Sequence, residues 1–146
     1  MASSRDRVLV AIGAVIVLTA LACGSLRPPE DCGVGGTADE SAFSQHFSQM
    51  ELVSAAAGEP GAEDPEMGTM FAPADTLEIR AQTVNSVEMR ACVQERVGGG
   101  GIVFDQTLAL PQGSTSLPLG SFSEGSYVIR VAVGGVLVRN LSFGVR

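Results

Sequence analysis

Three cysteines, one histidine and a surplus of carboxylates are the side chains on which chemistry could rest. A thiolate is a nucleophile and a metal ligand, and paired thiols in an oxidising compartment form disulfides. A histidine works as a base only beside a positioned nucleophile. His46 lies between Phe43 and Phe47 in a segment that reads as an edge strand, so it reads as a surface or strand histidine. A Ser-His-Asp set can be assembled from distant positions, yet the chain has no Gly-x-Ser-x-Gly elbow. No P-loop forms without lysine, which the chain lacks, and no Gly-x-Gly-x-x-Gly occurs. The sequence therefore predicts no catalytic residue.

Metal chemistry fares no better. Glu59, Glu63, Asp64 and Glu66 are oxygen ligands of the kind Ca²⁺ takes. Their spacing fits no EF-hand, Pro60 and Pro65 interrupt them, and the stretch reads as a solvated loop. Cys32 and Cys92 with a distant His46 fit no zinc spacing. No metal or other cofactor is expected, and no small-molecule substrate. Asn140-Leu141-Ser142 matches a glycosylation triplet but lies in a strand pattern and reads as coincidence.

Charge narrows the partners. The chain carries nine basic residues, all Arg, against sixteen acids. Between Pro28 and Ile79 there are eleven acids and no Arg or Lys. Such a surface repels nucleic acid and anionic headgroups, and it also keeps the chain soluble. Trp is absent and Tyr127 is the one tyrosine, which argues against an aromatic binding platform.

The first residues carry an address. Arg5 and Arg7 precede an apolar run from Val8 to Leu18, and Thr19 to Ala22 continues it to a small residue. This is the order of a secretory signal. The run is shorter than the roughly twenty residues a spanning helix needs. The ending Thr19-Ala20-Leu21-Ala22-Cys23 resembles a bacterial lipobox. It departs from the commonest form, which places Leu where Ala20 stands. The resemblance implies cleavage between Ala22 and Cys23 and a diacylglyceryl thioether on Cys23. The partner is then the membrane, reached through the N-terminal lipid, with several acyl chains giving lasting attachment. The location implied is the bacterial cell envelope. Gly24, which is not Asp, implies outer-membrane delivery in a Gram-negative cell. The alternatives are an ordinary cleaved signal with Cys23 a spectator, and an uncleaved anchor.

The organisation follows. Residues 1–22 are the signal helix and 23–41 an acidic flexible tether with Pro28-Pro29 and Gly35-Gly36. Residues 42–146 form one small domain. Within it, Thr76–Val84 and Ser86–Gln94 alternate apolar and polar residues, the mark of half-buried antiparallel strands. Ala42–Ser54 suits a first strand. Ala55–Thr69 is rich in Gly, Pro and acids and reads as a loop. The four glycines at 98–101 make a turn into Ile102–Leu110, and Ser116–Leu119 is a short strand. Gly134-Gly135 marks a two-residue hairpin between the last two strands. Arg139 shares the apolar face of the last strand, so a bend or bulge is expected there. The total is about seven strands and no helix in the domain: an all-β sandwich.

Leu119-Gly120-Ser121-Phe122, Gly125 to Val131, Gly135 to Val138 and Phe143-Gly144-Val145 resemble the last strands of bacterial Ig-like accessory domains. Tyr127 stands where a tyrosine-corner residue would stand. The resemblance implies interaction or display rather than chemistry. Cys32 and Cys92, an even pair in an exported chain, are most simply a disulfide, with Cys92 on the outward face of its strand. Free thiols or pairing between chains are the alternatives. The function expected is a membrane-anchored envelope lipoprotein that displays an Ig-like β-sandwich to an envelope protein partner. Contact would run through loops or strand edges, with Thr76–Gln94 and the terminal hairpin as candidate edges. A second reading is an inhibitor or accessory subunit of an exported enzyme, using the acidic loop from Gly58 to Gly68. A third is a small hydrolase using His46.

Overall fold

Period-two alternation becomes strand pairing wherever one face of the segment finds a core. The computed structural model describes residues 31–98 and 100–146. The signal segment, Ala22, Cys23 and the start of the tether lie outside the described residues. One helix, α1 (Glu40–His46), is followed by nine strands: β1 (Phe47–Ser54), β2 (Ala62–Asp64), β3 (Gly68–Phe71), β4 (Leu77–Thr83), β5 (Val87–Glu95), β6 (Ile102–Leu110), β7 (Gly113–Gly120), β8 (Gly125–Val133) and β9 (Val136–Val145). They make a three-stranded sheet in the order β1-β4-β7 and a six-stranded sheet in the order β2-β3-β9-β8-β5-β6. The protein is mostly β, as expected, with more strands than the seven expected.

Both sheets turn apolar side chains into one cluster. Leu52, Leu77, Ile79 and Leu117 come from the smaller sheet, and Met89, Val93, Ile129, Val131, Val138 and Phe143 from the larger. Removing one such side chain from water stabilises the fold by about 1.5–3 kcal/mol. Leu77, Ile79, Ala81 and Thr83 are buried while Gln82 between them is exposed, so the alternation read in β4 is the one that folds.

Three expectations are corrected. The first strand begins at Phe47, not at Ala42, and a helix precedes it. Asp39 caps that helix, its side chain accepting from the Ala42 N–H, a job short polar acceptors do well. The acidic stretch from Ala55 to Thr69 is not wholly loop, because β2 and the start of β3 form a small antiparallel ladder inside it. β3 then runs parallel to β9. Finally, β4, β5, β8 and β9 all have neighbours on both sides. Thr76–Gln94 and the terminal hairpin are therefore not edges. Among the described residues the edges are β1 and β7 in one sheet and β2 and β6 in the other.

Two turns have backbone reasons. Gly134 and Gly135 both take positive φ, 58° and 80°, as the tight hairpin from β8 to β9 requires. At Gly68 (φ 81°) a Cβ would strike the carbonyl oxygen of Ser142, so only glycine lets β3 lie against β9. The irregularity expected near Arg139 is present. Val131 pairs with Arg139 and Ala132 with Leu137, which leaves Val138 as the extra residue of a bulge, fully buried in the core.

Candidate functional site

Cys92 belongs to the face of β5 that points away from the core. Its neighbours Ala91 and Val93 are core residues, whereas Cys92 reaches the other way and is covered by the segment that precedes α1. Cys32 and Cys92 are joined in a disulfide with a Cα–Cα distance of 5.8 Å. Both cysteines are buried. The pairing expected from the even cysteine count is thus made within one chain. A structural disulfide is the mark of an oxidising compartment and points to an extracytoplasmic protein.

The disulfide does not hold the segment alone. Arg90 donates from Nη1 to the Cys32 carbonyl (2.9 Å). Asn140 donates from Nδ2 to the Gly36 carbonyl (3.2 Å), and the Asp39 N–H donates to the Leu137 carbonyl (2.9 Å). Residues 32–39 therefore cross the outer face of the larger sheet from β5 to β9. This part of the stretch read as a tether is docked on the domain.

Arg90 is the hub of that seat. Its Nε and Nη2 bond the two carboxylate oxygens of Asp105 on β6, at 2.8 and 2.7 Å. The hydrogen bond from Arg90 holds the Asp105 carboxyl below its ordinary range, and Asp105 in turn raises the Arg90 guanidinium. The far end of the segment is secured by Arg139, whose guanidinium lies 3.8 Å over the Phe43 ring. Arg139 also pairs with Glu40 at 3.2 Å. Neither arginine was legible as a structural link in the sequence. Arg90 sits in an ordinary alternating strand, and its partner emerges only with the β5–β6 register.

The other candidates do not assemble into chemistry. His46 is the last residue of α1, not part of a strand. Its Nδ1 lies 3.2 Å from Asn85 Oδ1, an amide rather than a carboxylate or a nucleophile. Asp64 accepts from the N–H groups of Glu66 and Met67, and these two bonds hold its carboxyl low. Glu63 takes the Thr69 hydroxyl at 3.5 Å. Asp64 and Glu63 are thus engaged in turn and ladder geometry. Among the described residues, no three His, Cys, Asp or Glu side chains gather to hold a metal ion.

A shallow depression of about 440 Å³ lies on the outer face of the three-stranded sheet. Gln49, Glu51, Arg80, Gln82, Ser114 and Ser116 line it. Several of these groups satisfy one another or a close neighbour. Ser114 donates to Gln82 (2.6 Å) and Arg80 Nε donates to Glu78 (2.7 Å). The face offers hydrogen-bonding side chains to solvent.

Comparison with known proteins identifies no family. No family model matches the chain, and no curated protein matches it. Among solved structures, a β-glucosidase from Listeria innocua, crystallised with isofagomine, aligns with 84% of this chain at 11% identity and a TM-score of 0.36. The chain spans 19% of that enzyme's length. The likeness is distant and to a part of the enzyme only.

Proposed function

We propose that this chain is a bacterial envelope lipoprotein, anchored by lipid on Cys23, whose Ig-like β-sandwich is displayed close to the membrane for contact with a protein partner. The observation that carries the reading is the docking of residues 32–39 by the Cys32–Cys92 bond. In sequence, eight residues, 24–31, separate the lipidated cysteine from the docked segment. At about 3.5 Å per extended residue, those residues span at most about 30 Å. On this reading the disulfide sets where the chain enters the domain and so limits how far that point can stand from the bilayer.

Two features support the Ig-like reading. Tyr127, near the start of β8, donates its hydroxyl to the Ser123 carbonyl four residues upstream (2.9 Å), in the manner of a tyrosine corner. Its ring stacks on Phe143 with centroids 5.1 Å apart. The two sheets also pack a three-strand and a multi-strand layer over one core, as sandwiches do.

Mass spectrometry of the N-terminal peptide, from protein extracted with detergent out of washed membranes, tests the anchor. A mature N-terminus at Cys23 carrying acyl mass is the expected result. An intact Met1, or an unmodified Cys23 on protein released by washing, overturns it. Affinity capture of the same preparation tests the display role. One co-purifying envelope protein, lost when the preparation is heat-denatured before capture, is the expected result. Capture of nothing beyond the chain itself overturns a partner outside the chain.

A further inference from the structure

The four strand edges differ in how they meet water. An open edge is a template for another strand unless it is short, charged, bulged or broken by proline. β2 is three residues long and two of them are acids. β7 carries Pro118. β1 has a register shift between Phe47 and Gln49 and is entered directly from α1. β6 is different. It runs for nine residues without proline, and its irregularity lies at its start, where Gln94 pairs with Ile102 and Val93 with Phe104. From Phe104 to Leu110 it is unbroken and, among the described residues, has a neighbour on one side only. Its one charge, Asp105, is taken by Arg90. Phe104 and Leu108 are only partly buried against the core.

We infer that β6 pairs with β6 of a second copy of this chain, antiparallel, about a two-fold axis at Gln106. The strand is matched to itself in that register. Phe104 meets Leu108 of the second copy on the core side, which extends the half-covered apolar strip at the sheet edge. Asp105 meets Thr107 of the second copy on the outer side. Gln106 meets Gln106 of the second copy at the axis. No like charges oppose, whereas a two-fold at Asp105 would set two carboxylates against each other. This matters for a chain of formal net charge −7, whose copies otherwise repel. A two-fold normal to the sheet keeps inner faces inner, so the pair reads as one continuous twelve-strand sheet with a common core side. The contact is small, so the dimer forms where chains are concentrated and dissociates on dilution. The inference stands independently of the lipid on Cys23.

Cysteine substitution in the full-length chain tests both pairing and register. In Q106C the two new thiols face each other at the axis, with Cα atoms about 4.5–5.5 Å apart, within disulfide reach. In A109C they lie roughly 20 Å apart along the strands. Both positions are exposed, and intact mass after alkylation reports that Cys32–Cys92 is kept. Under mild oxidation, Q106C chains cross-link to each other at least about tenfold more than A109C chains. In an equimolar mixture of Q106E and Q106K chains, mixed dimers exceed either self-pair by more than the twofold that random pairing gives, by up to about tenfold. Equal cross-linking of Q106C and A109C overturns the proposal. So does cross-linking of Q106C to a different protein in place of itself, which would make β6 a site for a foreign strand.

Discussion

Arg90 and Asp105 meet diagonally across the β5–β6 pair, Arg90 lying opposite Thr107 and Asp105 opposite Cys92, through two parallel bonds, Nε to Oδ1 at 2.8 Å and Nη2 to Oδ2 at 2.7 Å. The arginine's third donor reaches the Cys32 carbonyl. One side chain therefore ties the edge strand, the sheet interior and the docked segment. The pair is one-third exposed, so its direct worth is modest, about 1 kcal/mol or less. Asp105→Asn is expected to cost that amount in urea denaturation at neutral pH. The sign of its pH dependence follows from the lowered carboxyl of Asp105. Its stabilisation is full above the ordinary carboxylate pKa and is lost as pH falls through the lowered value. The wild type and the variant should accordingly converge in stability on the acid side and differ above about pH 5.

Breaking the Cys32–Cys92 bond has a larger effect. The bond closes a loop of sequence separation 60, and releasing such a loop costs about 4 kcal/mol in the chain-entropy model. The double substitution Cys32→Ser, Cys92→Ser should lower the unfolding free energy by about 2–4 kcal/mol and free residues 32–36 from the sheet. Equilibrium denaturation with and without reductant measures the first. Faster amide exchange at Gly33, whose N–H is held by Asp31, reports the second. An unchanged midpoint under reductant would contradict the prediction.

Tyr127 offers a test of its hydroxyl apart from its ring. Burial raises its phenol, with Glu95 adding to the effect, so the neutral O–H that donates to Ser123 is the form present at neutral pH. Tyr127→Phe keeps the stack on Phe143 and the tilted contact with Phe122 (5.3 Å). It removes only the hydrogen bond and strands an acceptor. The expected cost is about 1 kcal/mol. A Tyr127→Ala variant also loses the buried ring and should cost about 3–5 kcal/mol. Comparable losses in the two variants would mean that the hydroxyl, not the packing, carries this corner.

Much of this architecture was legible because alternation is a local signal. β4, β5 and β8 each carry one apolar face, and Gly134-Gly135 states its turn type directly. α1 was not legible, because seven residues hold too few turns to show a helical period. Phe43 and Phe47 fit a strand as readily as a helix. The deciding feature is Asp39, whose capping bond to Ala42 exists only once the chain has turned. The edges were misread for a different reason. Which strand lies outermost depends on pairings between distant segments, such as β3 beside β9, and no local pattern encodes them. Cys32 and Cys92 were legible as a pair by count and compartment. Arg90 and Arg139 were not, since an arginine on an outward face looks solvated until the segment that covers it is placed.

Asp39 therefore gives the sharpest local prediction. Its side chain holds the Ala42 N–H at 2.9 Å, while its own N–H is bonded to the Leu137 carbonyl. The first bond starts α1 and the second fixes where α1 starts. Asp39→Ala removes only the first. Loss of such a cap costs about 1 kcal/mol, and here the cost falls on a helix that buries Phe43 and lays it under Arg139. Amide exchange should accelerate at Ala42 and Phe43 well before it does in β5 or β8. Asp39→Asn or Asp39→Ser, which keep an acceptor, should restore most of the protection. If Asp39→Ala instead loosens β8 as much as α1, then α1 and the sheet open as one unit, and the disulfide rather than the cap is what sets the stability of the docked segment.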